Sequence, residues 1–210
     1  MKLVLASNNA KKLTELQTLF SGLPLELLSQ HTLAISETEE PHLTFVENAL
    51  AKARHAARAS GWAAIADDSG LCVAALGGAP GVQAAHYAAV PTLASDDREA
   101  QRRAQDGANN GLLLAKMRGV ADRRARFVST LVAIRHADDP EPLIAFGRWE
   151  ATLLAAPRGD GGFGYDPLVW IDALGASVAE LSAEQKNAVG HRALAAAQMR
   201  TLMLEAWSLG

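Results

Sequence analysis

The chain begins with a short apolar run, a polar loop and an amphipathic segment, and this order restricts the fold more than any other feature of the sequence. Residues 2–6 are typical of a buried strand, and Ser7-Asn8-Asn9 is a cluster of residues that often cap helices. Apolar residues then recur at helical spacing at Leu13, Leu16, Leu19 and Phe20. A strand that leads through a short loop into a helix is the first half of an α/β unit, so we predict an α/β fold.

The rest of the chain continues this alternation, with no repeat, low-complexity tract or flexible linker. Further strands are predicted at residues 25–29, 62–66, 127–136, 143–154 and 168–171. Further helices are predicted at residues 45–60 and 95–117, the second of them interrupted near Gly107 and at 109–111. The tail is predicted to hold a short helix that begins after Ser182 and a long helix from about residue 191 to 207. Thr44 with Glu47, and Ser182 with Gln185, have the spacing of helix N-terminal caps. We predict a single domain over residues 1–210.

Composition excludes several classes of protein. Hydrophobic residues make up 49 % of the chain and charged residues 20 %, as in globular proteins rather than disordered chains or coiled coils. The net charge of −3, the absence of a long basic run and the 5 % aromatic content argue against nucleic-acid binding. No apolar run approaches the ~20 residues of a membrane span, so we expect no membrane partner. The one cysteine, Cys72, excludes a disulfide framework and predicts a reducing, cytoplasmic location.

Two groups of carboxylates could bind a cation. Asp67 and Asp68 follow the predicted strand at 62–66, and Glu40 lies in an acidic stretch with Glu37 and Glu39. Magnesium prefers oxygen ligands and needs only one or two carboxylates when substrate phosphates complete its coordination. A carboxylate beside the metal could also accept a proton from water. The alternative is a solvated loop and an ordinary strand end.

Lys11 and Lys12 lie in the first turn of the first predicted helix. Backbone N–H groups at a helix N-terminus favour an anion, and a lysine there opposes the helix dipole. A bound phosphate would explain these lysines, and a solvated lysine pair is the alternative. Lys52, Lys186 and Arg192 are isolated cations, and taken singly such a cation is more often a surface residue than a ligand.

Gly159, Gly161 and Gly164 match the G-x-G-x-x-G pattern of dinucleotide-binding folds. That site requires a helix to begin at the loop, so that the helix N-terminus meets the pyrophosphate. Here the loop continues into Tyr165-Asp166-Pro167 and a β-type run. The sequence therefore argues against a dinucleotide cofactor.

Six motifs occur in an order that resembles one family over nearly the whole chain. They are Ser7-x-Asn9-x-x-Lys12, Thr44-Phe45-x-Glu47-Asn48-Ala49-x-x-Lys52-Ala53, Ala66-Asp67-Asp68-Ser69-Gly70-Leu71, Gly77-Gly78-x-Pro80-Gly81, Gly161-Gly162-Phe163-Gly164-Tyr165-Asp166-Pro167, and Glu180-Leu181 with Lys186 and His191-Arg192. The chain is similar to the inosine triphosphate pyrophosphatase family, which hydrolyses non-standard purine nucleoside triphosphates. The resemblance implies an elongated mixed β-sheet flanked by helices, two lobes with the active-site cleft between them, a homodimer and a Mg²⁺ cofactor. It also implies hydrolysis of the α–β phosphoanhydride of ITP, dITP or XTP to a monophosphate and pyrophosphate.

The resemblance also implies roles for residues at matching positions. Asp68 would be the catalytic base, and Glu40 and Asp68 would hold the metal. The residues expected to hold the triphosphate are Ser7, Asn8, Asn9, Ala10, Lys11, Lys12, Lys52 and Lys186. Those expected to contact the nucleoside are Ser69, Phe163, Gly164, Tyr165, Asp166, His191 and Arg192.

Donor and acceptor chemistry agrees with a preference for these purines. Hypoxanthine and xanthine present a carbonyl at position six, which Arg192 and backbone N–H groups could satisfy. Adenine presents an NH₂ group there, and such a mismatch can give discrimination of ~10⁴ or more. Two other functions stay open, a related pyrophosphatase for modified pyrimidine nucleotides and a nucleotide-binding module without turnover. The family often has glycine where this chain has Asn8, and Ser-Ala-Arg where it has Ala84-Ala85-His86.

Overall fold

The computed structural model describes residues 1–89 and 98–209. Within them the chain forms a mixed seven-stranded sheet and five α-helices, joined by short 3₁₀ turns. The strands are β1 Lys2–Leu5, β2 Glu26–Ser29, β3 Ala63–Val73, β4 Arg124–Ile134, β5 Leu143–Leu153, β6 Val169–Ile171 and β7 Ala176–Ser177. The helices are α1 Ala10–Leu19, α2 Phe45–Ser60, α3 Arg98–Lys116, α4 Ala183–Val189 and α5 His191–Ala206.

The sheet has the strand order β2-β1-β3-β4-β5-β6-β7. Strand β1 is parallel to both β2 and β3, with Leu3 opposite Leu27 on one side and Ala63 on the other. Strand β6 is antiparallel to β5 and to β7. Helix α1 connects β1 to β2, and these two strands are parallel neighbours in the sheet. The predicted α/β unit is therefore confirmed. The sheet as a whole is mixed, as the family resemblance implies.

The chain divides into two compact units, and each has its own core. The first unit consists of Met1–Asp68, Ser129–Arg148 and Val189–Gly210. In it Leu3 and Leu5 pack with apolar residues of α1 and α5, whereas Val4 packs with alanines of α2. Since successive strand residues face opposite sides of a sheet, this alternation places helices on both faces of β1.

Helix α5 begins in direct contact with strand β5 of the same unit. A Cβ atom at Gly147 would lie 2.8 Å from the backbone nitrogen of Ala195, closer than side chains approach backbone. Glycine at this position therefore lets the first turns of α5 approach the strand. This approach is one of the contacts that determine where His191 and Arg192 lie.

The second unit consists of Ser69–Val128 and Trp149–Ala188. Its core combines apolar side chains from the second half of β3, from α3 and from the strands that follow, among them Leu71, Val73, Leu113, Met117, Phe127 and Leu153. The turn Gly159–Gly164 leads into a 3₁₀ turn at Asp166–Leu168 and then into β6. The prediction that no dinucleotide-type helix begins there is confirmed.

Most predicted elements are present, and two predictions are wrong. Helix α2 lies between Thr44, whose hydroxyl accepts a hydrogen bond from the Glu47 N–H, and Gly61, which has a left-handed conformation, as predicted. Strand β3, however, does not end before Asp67 but continues to Val73. Helix α3 is also continuous where an interruption at residues 107–111 was expected, and the expected start at 95–97 lies outside the described residues. No helix in the described part of the chain is long and apolar enough to cross a membrane.

Candidate active site

Asp67 is the centre of a buried charge cluster in the first unit. Its Oδ2 atom lies 3.0 Å from Nζ of Lys12 and 3.0 Å from Nη2 of Arg192. The hydroxyl of Ser129 donates to its Oδ1 atom at 2.7 Å. Only 1 % of Asp67 is exposed to solvent. The carboxylate is therefore satisfied by two cations and a hydroxyl that come from α1, α5 and β4.

The pKa of Asp67 follows from the balance between burial and these partners. Burial penalises the charged form and by itself would raise the pKa. Arg192 and Lys12 outweigh burial, with help from the Ser129 hydroxyl, and hold the pKa well below the usual range of aspartate. Asp67 is therefore an anion at neutral pH, and it fixes two cations.

Asp68, the next residue of β3, has a different environment. Its Oδ1 atom accepts a hydrogen bond of 2.8 Å from Nζ of Lys52, which also lies 3.2 Å from Oε1 of Glu40. Burial raises the pKa of Asp68 to about 6, and the Lys52 cation opposes this shift while the nearby Glu40 carboxylate adds to it. The second oxygen, Oδ2, is buried and has no hydrogen-bond partner. A buried carboxylate oxygen without a protein partner is costly, so this atom is suited to bind a cation or a water molecule.

Glu40 and Asp68 are the residues that could hold a metal ion. The described residues contain no group of three or more histidine, cysteine, aspartate or glutamate side chains arranged to hold a metal. A pair of carboxylates with one unsatisfied oxygen instead fits Mg²⁺, which keeps several waters and takes its remaining ligands from phosphates. This donor set does not resemble a zinc site, which requires histidine or cysteine.

Residues 7–12 form the N-terminal cap of α1. The side chain of Asn9 accepts hydrogen bonds from the backbone N–H groups of Lys11 and Lys12, and the Ser7 hydroxyl accepts one from the Asn9 N–H. Two of the N–H groups expected to face an anion therefore have a partner within the loop. Ala10 begins the helix, and Lys11 is exposed. What this loop offers an anion is above all the ammonium group of Lys12.

Asn8, at the position where the family often has glycine, forms a hydrogen bond with a residue that follows β2. Its Oδ1 atom accepts a hydrogen bond of 3.2 Å from Nε2 of Gln30, which follows β2 and is only 4 % exposed. The extra side chain thus has a defined partner in this chain.

His191 and Arg192 begin α5 and are both buried. The guanidinium of Arg192 pairs with Asp67 and with Glu15 of α1. Its expected contact with a nucleoside therefore stays a prediction, since what the geometry gives is an ion-pair network. Glu15 was not singled out from the sequence, although it follows Lys12 by three residues and so shares a helix face with it. Nothing in the sequence indicated a role for Ser129.

The second unit holds the remaining predicted residues. Lys186 is buried, its Nζ atom lies 2.8 Å from Oδ2 of Asp166, and it stands 4.4 Å from the ring centre of Phe163. The same Asp166 oxygen accepts the Phe163 N–H at 2.9 Å. The hydroxyl of Tyr165 donates to the backbone oxygen of Ala84. Phe163–Asp166 is thus an ordered turn, and Ser69 lies half-buried in β3 where this unit begins.

Fold and site together define a class, a mixed α/β protein with buried lysine and carboxylate side chains paired on and beside β3. A family model described as the Ham1 family matches residues 3–202, so the chain belongs to the Ham1 family.

Sequence relatives and solved structures agree with this family membership. The chain is 68 % identical over 207 residues, 99 % of each chain, to a dITP/XTP pyrophosphatase of Methylibium petroleiphilum. It is 65 % identical over the whole of both chains to a dITP/XTP pyrophosphatase of Leptothrix cholodnii. A HAM1 protein from Coxiella burnetii has a similar structure, with a TM-score of 0.86, 38 % identity and coverage of 98 % of this chain and 99 % of that one. The Staphylococcus aureus Ham1 protein has a TM-score of 0.81 at 32 % identity, over 97 % and 98 % of the two chains.

Proposed function

We propose that this protein is a hydrolase that splits non-standard purine nucleoside triphosphates, dITP, ITP and XTP, into the monophosphate and pyrophosphate. In a cell this reaction removes such nucleotides before they are incorporated into DNA or RNA. The observation that carries the proposal is the buried, unpartnered Oδ2 atom of Asp68 beside Glu40 and Lys52. The names of the relatives, dITP/XTP pyrophosphatase, support the substrate class.

Lysine side chains supply the charge that a triphosphate needs. The substrate carries close to four negative charges, whereas the protein has a net charge of −3, so attraction must come from local cations. Lys12 and Lys52 both lie beside β3, and carboxylates around Lys52 outweigh its burial and raise its pKa, so it is a cation. With the Ser7–Lys12 loop, and with Lys186 in the second unit, they are our candidates for triphosphate binding.

Asp68 is the candidate base. A pKa near 6 lets a carboxylate be ionised at neutral pH and still accept a proton readily. In the reaction a water oxygen bonds to the α-phosphorus, the bridging oxygen leaves with pyrophosphate, and the water proton passes to Asp68. Glu40 and Asp68 would hold Mg²⁺, which when bound neutralises charge on the phosphate oxygens. Lys52 keeps the two carboxylates together by contacting both.

The nucleoside would be contacted by Ser69, by the Phe163–Asp166 turn, and by His191 and Arg192. Phe163 supplies an aromatic face. The N–H groups of Phe163, Gly164 and Asp166 already have partners in the protein, so the Tyr165 N–H is our candidate donor to a carbonyl at position six of the purine. We further propose one catalytic domain per chain, a homodimer and a cytoplasmic location. The homodimer rests on the family resemblance, and the location on the single cysteine.

A chromatographic product assay with ITP and ATP, each with and without Mg²⁺, tests the proposal. We expect IMP and pyrophosphate from ITP only, and only with the metal. Orthophosphate in place of pyrophosphate would contradict cleavage at the α–β bond. If both ITP and ATP stayed intact, a panel of modified pyrimidine triphosphates and a binding measurement would decide between the two other functions.

A further inference from the structure

Helix α3 contains a run of residues that do not favour helices. Gly107 and Gly111 cost roughly 1 kcal/mol each relative to alanine, and Asn109 and Asn110 are also weak helix formers. The helix is nevertheless continuous from Arg98 to Lys116. A local conflict between propensity and structure is expected where side chains serve another purpose. In α3 that purpose is visible in the contacts of two pairs of polar residues, each with spacing i, i+4: Gln105 with Asn109, and Asp106 with Asn110.

The first pair, Gln105 and Asn109, forms hydrogen bonds with the backbone of residues 84–88. Asn109 is only 2 % exposed and donates to the backbone oxygens of Ala84 and Ala85 at 3.2 and 3.1 Å. Its Oδ1 atom accepts from the Ala88 N–H and from Gln105, and Gln105 also donates to the Ala88 oxygen. Every polar atom of the Asn109 side chain thus has a partner.

The second pair, Asp106 and Asn110, holds Gly164. The carboxylate of Asp106 accepts the Gly164 N–H at 2.9 Å, and the amide of Asn110 donates to the Gly164 oxygen at 3.0 Å. The N–H and the oxygen of one residue belong to two successive peptide groups. The two side chains therefore fix the orientation of two peptide groups in the middle of the Phe163–Asp166 turn.

The same turn is fixed on either side of Gly164. Asp166 accepts the Phe163 N–H and pairs with Lys186, and Tyr165 donates to the Ala84 oxygen that Asn109 also contacts. Gly164 has φ of +64°, a conformation that costs a glycine little but would strain other residues. A flexible residue held by a donor and an acceptor has one defined orientation, which it would not have alone.

We propose that Asp106 and Asn110 are positioning residues that set purine selectivity by fixing the peptide groups of the Phe163–Asp166 turn. This inference rests on the proposed function. The Gly164 N–H and oxygen are themselves occupied by Asp106 and Asn110, but the same two peptide groups carry the Phe163 oxygen and the Tyr165 N–H. Holding these peptide groups therefore gives the Tyr165 N–H one defined direction in which it can meet the base. A carbonyl at position six then suits the turn, and an NH₂ group does not. If the peptides could rotate, the turn would adapt to both bases, and discrimination would fall.

The experiment compares Asp106→Ala, Asn110→Ala and Asp106→Asn with the wild type and with Arg103→Ala, an exposed residue of the same helix. For each we would measure kcat and KM with ITP and with ATP, inhibition by inorganic tripolyphosphate, and thermal unfolding. ITP and ATP differ only at the six-position edge of the base, where hypoxanthine has a carbonyl and an N1–H and adenine has an NH₂ group and an unprotonated N1, and tripolyphosphate has no base. The three readouts therefore separate base selection from phosphate binding and from folding.

We expect the two alanine variants to lower the ratio of kcat/KM for ITP to that for ATP by about tenfold, the size expected when one hydrogen bond that orients the turn is lost. Tripolyphosphate inhibition should change less than twofold, and Arg103→Ala should match the wild type. Asp106→Asn should restore most of the selectivity, because its amide oxygen can still accept the Gly164 N–H.

An unchanged selectivity ratio in folded alanine variants would overturn the inference, as would an equal loss for ITP, ATP and tripolyphosphate. An unfolded alanine variant leaves the test to Asn110→Asp, which keeps the shape but sets a carboxylate against the Gly164 oxygen; it too should lose selectivity. Failure of the proposed function is distinguishable, because then the wild type itself would not cleave ITP.

Discussion

Two buried polar residues, Asp67 in the first unit and Asn109 in the second, serve comparable purposes with different chemistry. Each is buried and contacts polar groups from more than one part of its unit. Asp67 uses charge and holds two cations, whereas Asn109 uses four neutral hydrogen bonds and holds backbone. The ion pairs of Asp67 depend on pH and on other nearby ions. The neutral hydrogen bonds of Asn109 do not, and they only fix the positions of the groups they join. A site proposed to bind a polyanion requires charged groups held in place, and a turn proposed to select a base requires backbone groups of fixed orientation.

The largest effect is expected when the charge of Asp67 is removed. Asp67→Asn leaves Lys12 and Arg192 buried with less counter-charge, and breaking a buried ion pair costs about 3–5 kcal/mol. Urea unfolding of the metal-free protein measures the loss. Asp138→Asn, an exposed carboxylate of the same unit, is the control and should cost little. A loss below 1 kcal/mol for Asp67→Asn would mean that the ion pairs do not hold this unit together.

The charge of Asp67 also predicts a pH signature. Because its pKa is depressed in the folded protein, its stabilisation is complete above the unfolded value of about 3.9 and is lost as pH falls toward the folded value. The difference in unfolding free energy between wild type and Asp67→Asn should therefore be constant near neutrality and shrink below about pH 4. A difference that grew as pH fell would contradict the depressed pKa.

Asp68→Asn tests the second carboxylate of the pair. It removes the proposed base and one metal ligand while keeping the size of the side chain, so kcat for ITP should fall by about two orders of magnitude or more. The unfolding free energy should change far less than in Asp67→Asn, because burial already disfavours the charge of Asp68 and Lys52 keeps its contact with Glu40. A variant with near-normal turnover would refute the assignment of the base.

The neutral counterpart is Asn109→Ala. It leaves the Ala85 oxygen without the Asn109 donor and the Ala88 N–H without the Asn109 acceptor, whereas the Ala84 oxygen keeps the Tyr165 hydroxyl; the expected cost is about 1–3 kcal/mol. Unlike the cost of Asp67→Asn, it should be the same at pH 3 and pH 7, and Gln17→Ala, an exposed amide on α1, should be neutral. If the cost of Asn109→Ala varied with pH as strongly as that of Asp67→Asn, the contrast between the two residues would be wrong.

Lys12→Ala gives the smallest expected effect. It removes one cation of the cluster while Arg192 stays with Asp67, so we expect KM for ITP to rise by about tenfold with kcat nearly unchanged. Arg58→Ala, which removes an exposed cation of the same unit, is the matched control. Steady-state kinetics at saturating Mg²⁺ measures both, and unchanged constants would remove Lys12 from the triphosphate site.

Local signals predicted the elements where sequence and environment agree. The cap at Thr44 and the glycine at Gly61 mark both ends of α2, and the Ser182–Gln185 pair caps α4 as predicted. Strand β3 was predicted too short because two adjacent aspartates are untypical of a strand interior. They are accommodated there because Lys12, Lys52, Arg192 and Ser129 pair with them, and those partners are far away in sequence. The interruption expected in α3 is wrong for a similar reason, since Asn109 and Asn110 form hydrogen bonds with backbone that is distant in sequence.

By itself the sequence determined the α/β alternation, most helix ends, the order of the motifs and the identity of the residues that carry charge. These follow from properties within a few residues of each position, namely periodicity, capping and side-chain chemistry. Only the tertiary structure decided that Asp67 is a fixed anion and Asp68 a carboxylate with a pKa near 6. The two are neighbours of one residue type, and what separates them is which distant cations each one meets in a desolvated site. Burial and long-range charge are not written in local sequence, and they decide which of the two can take up a proton.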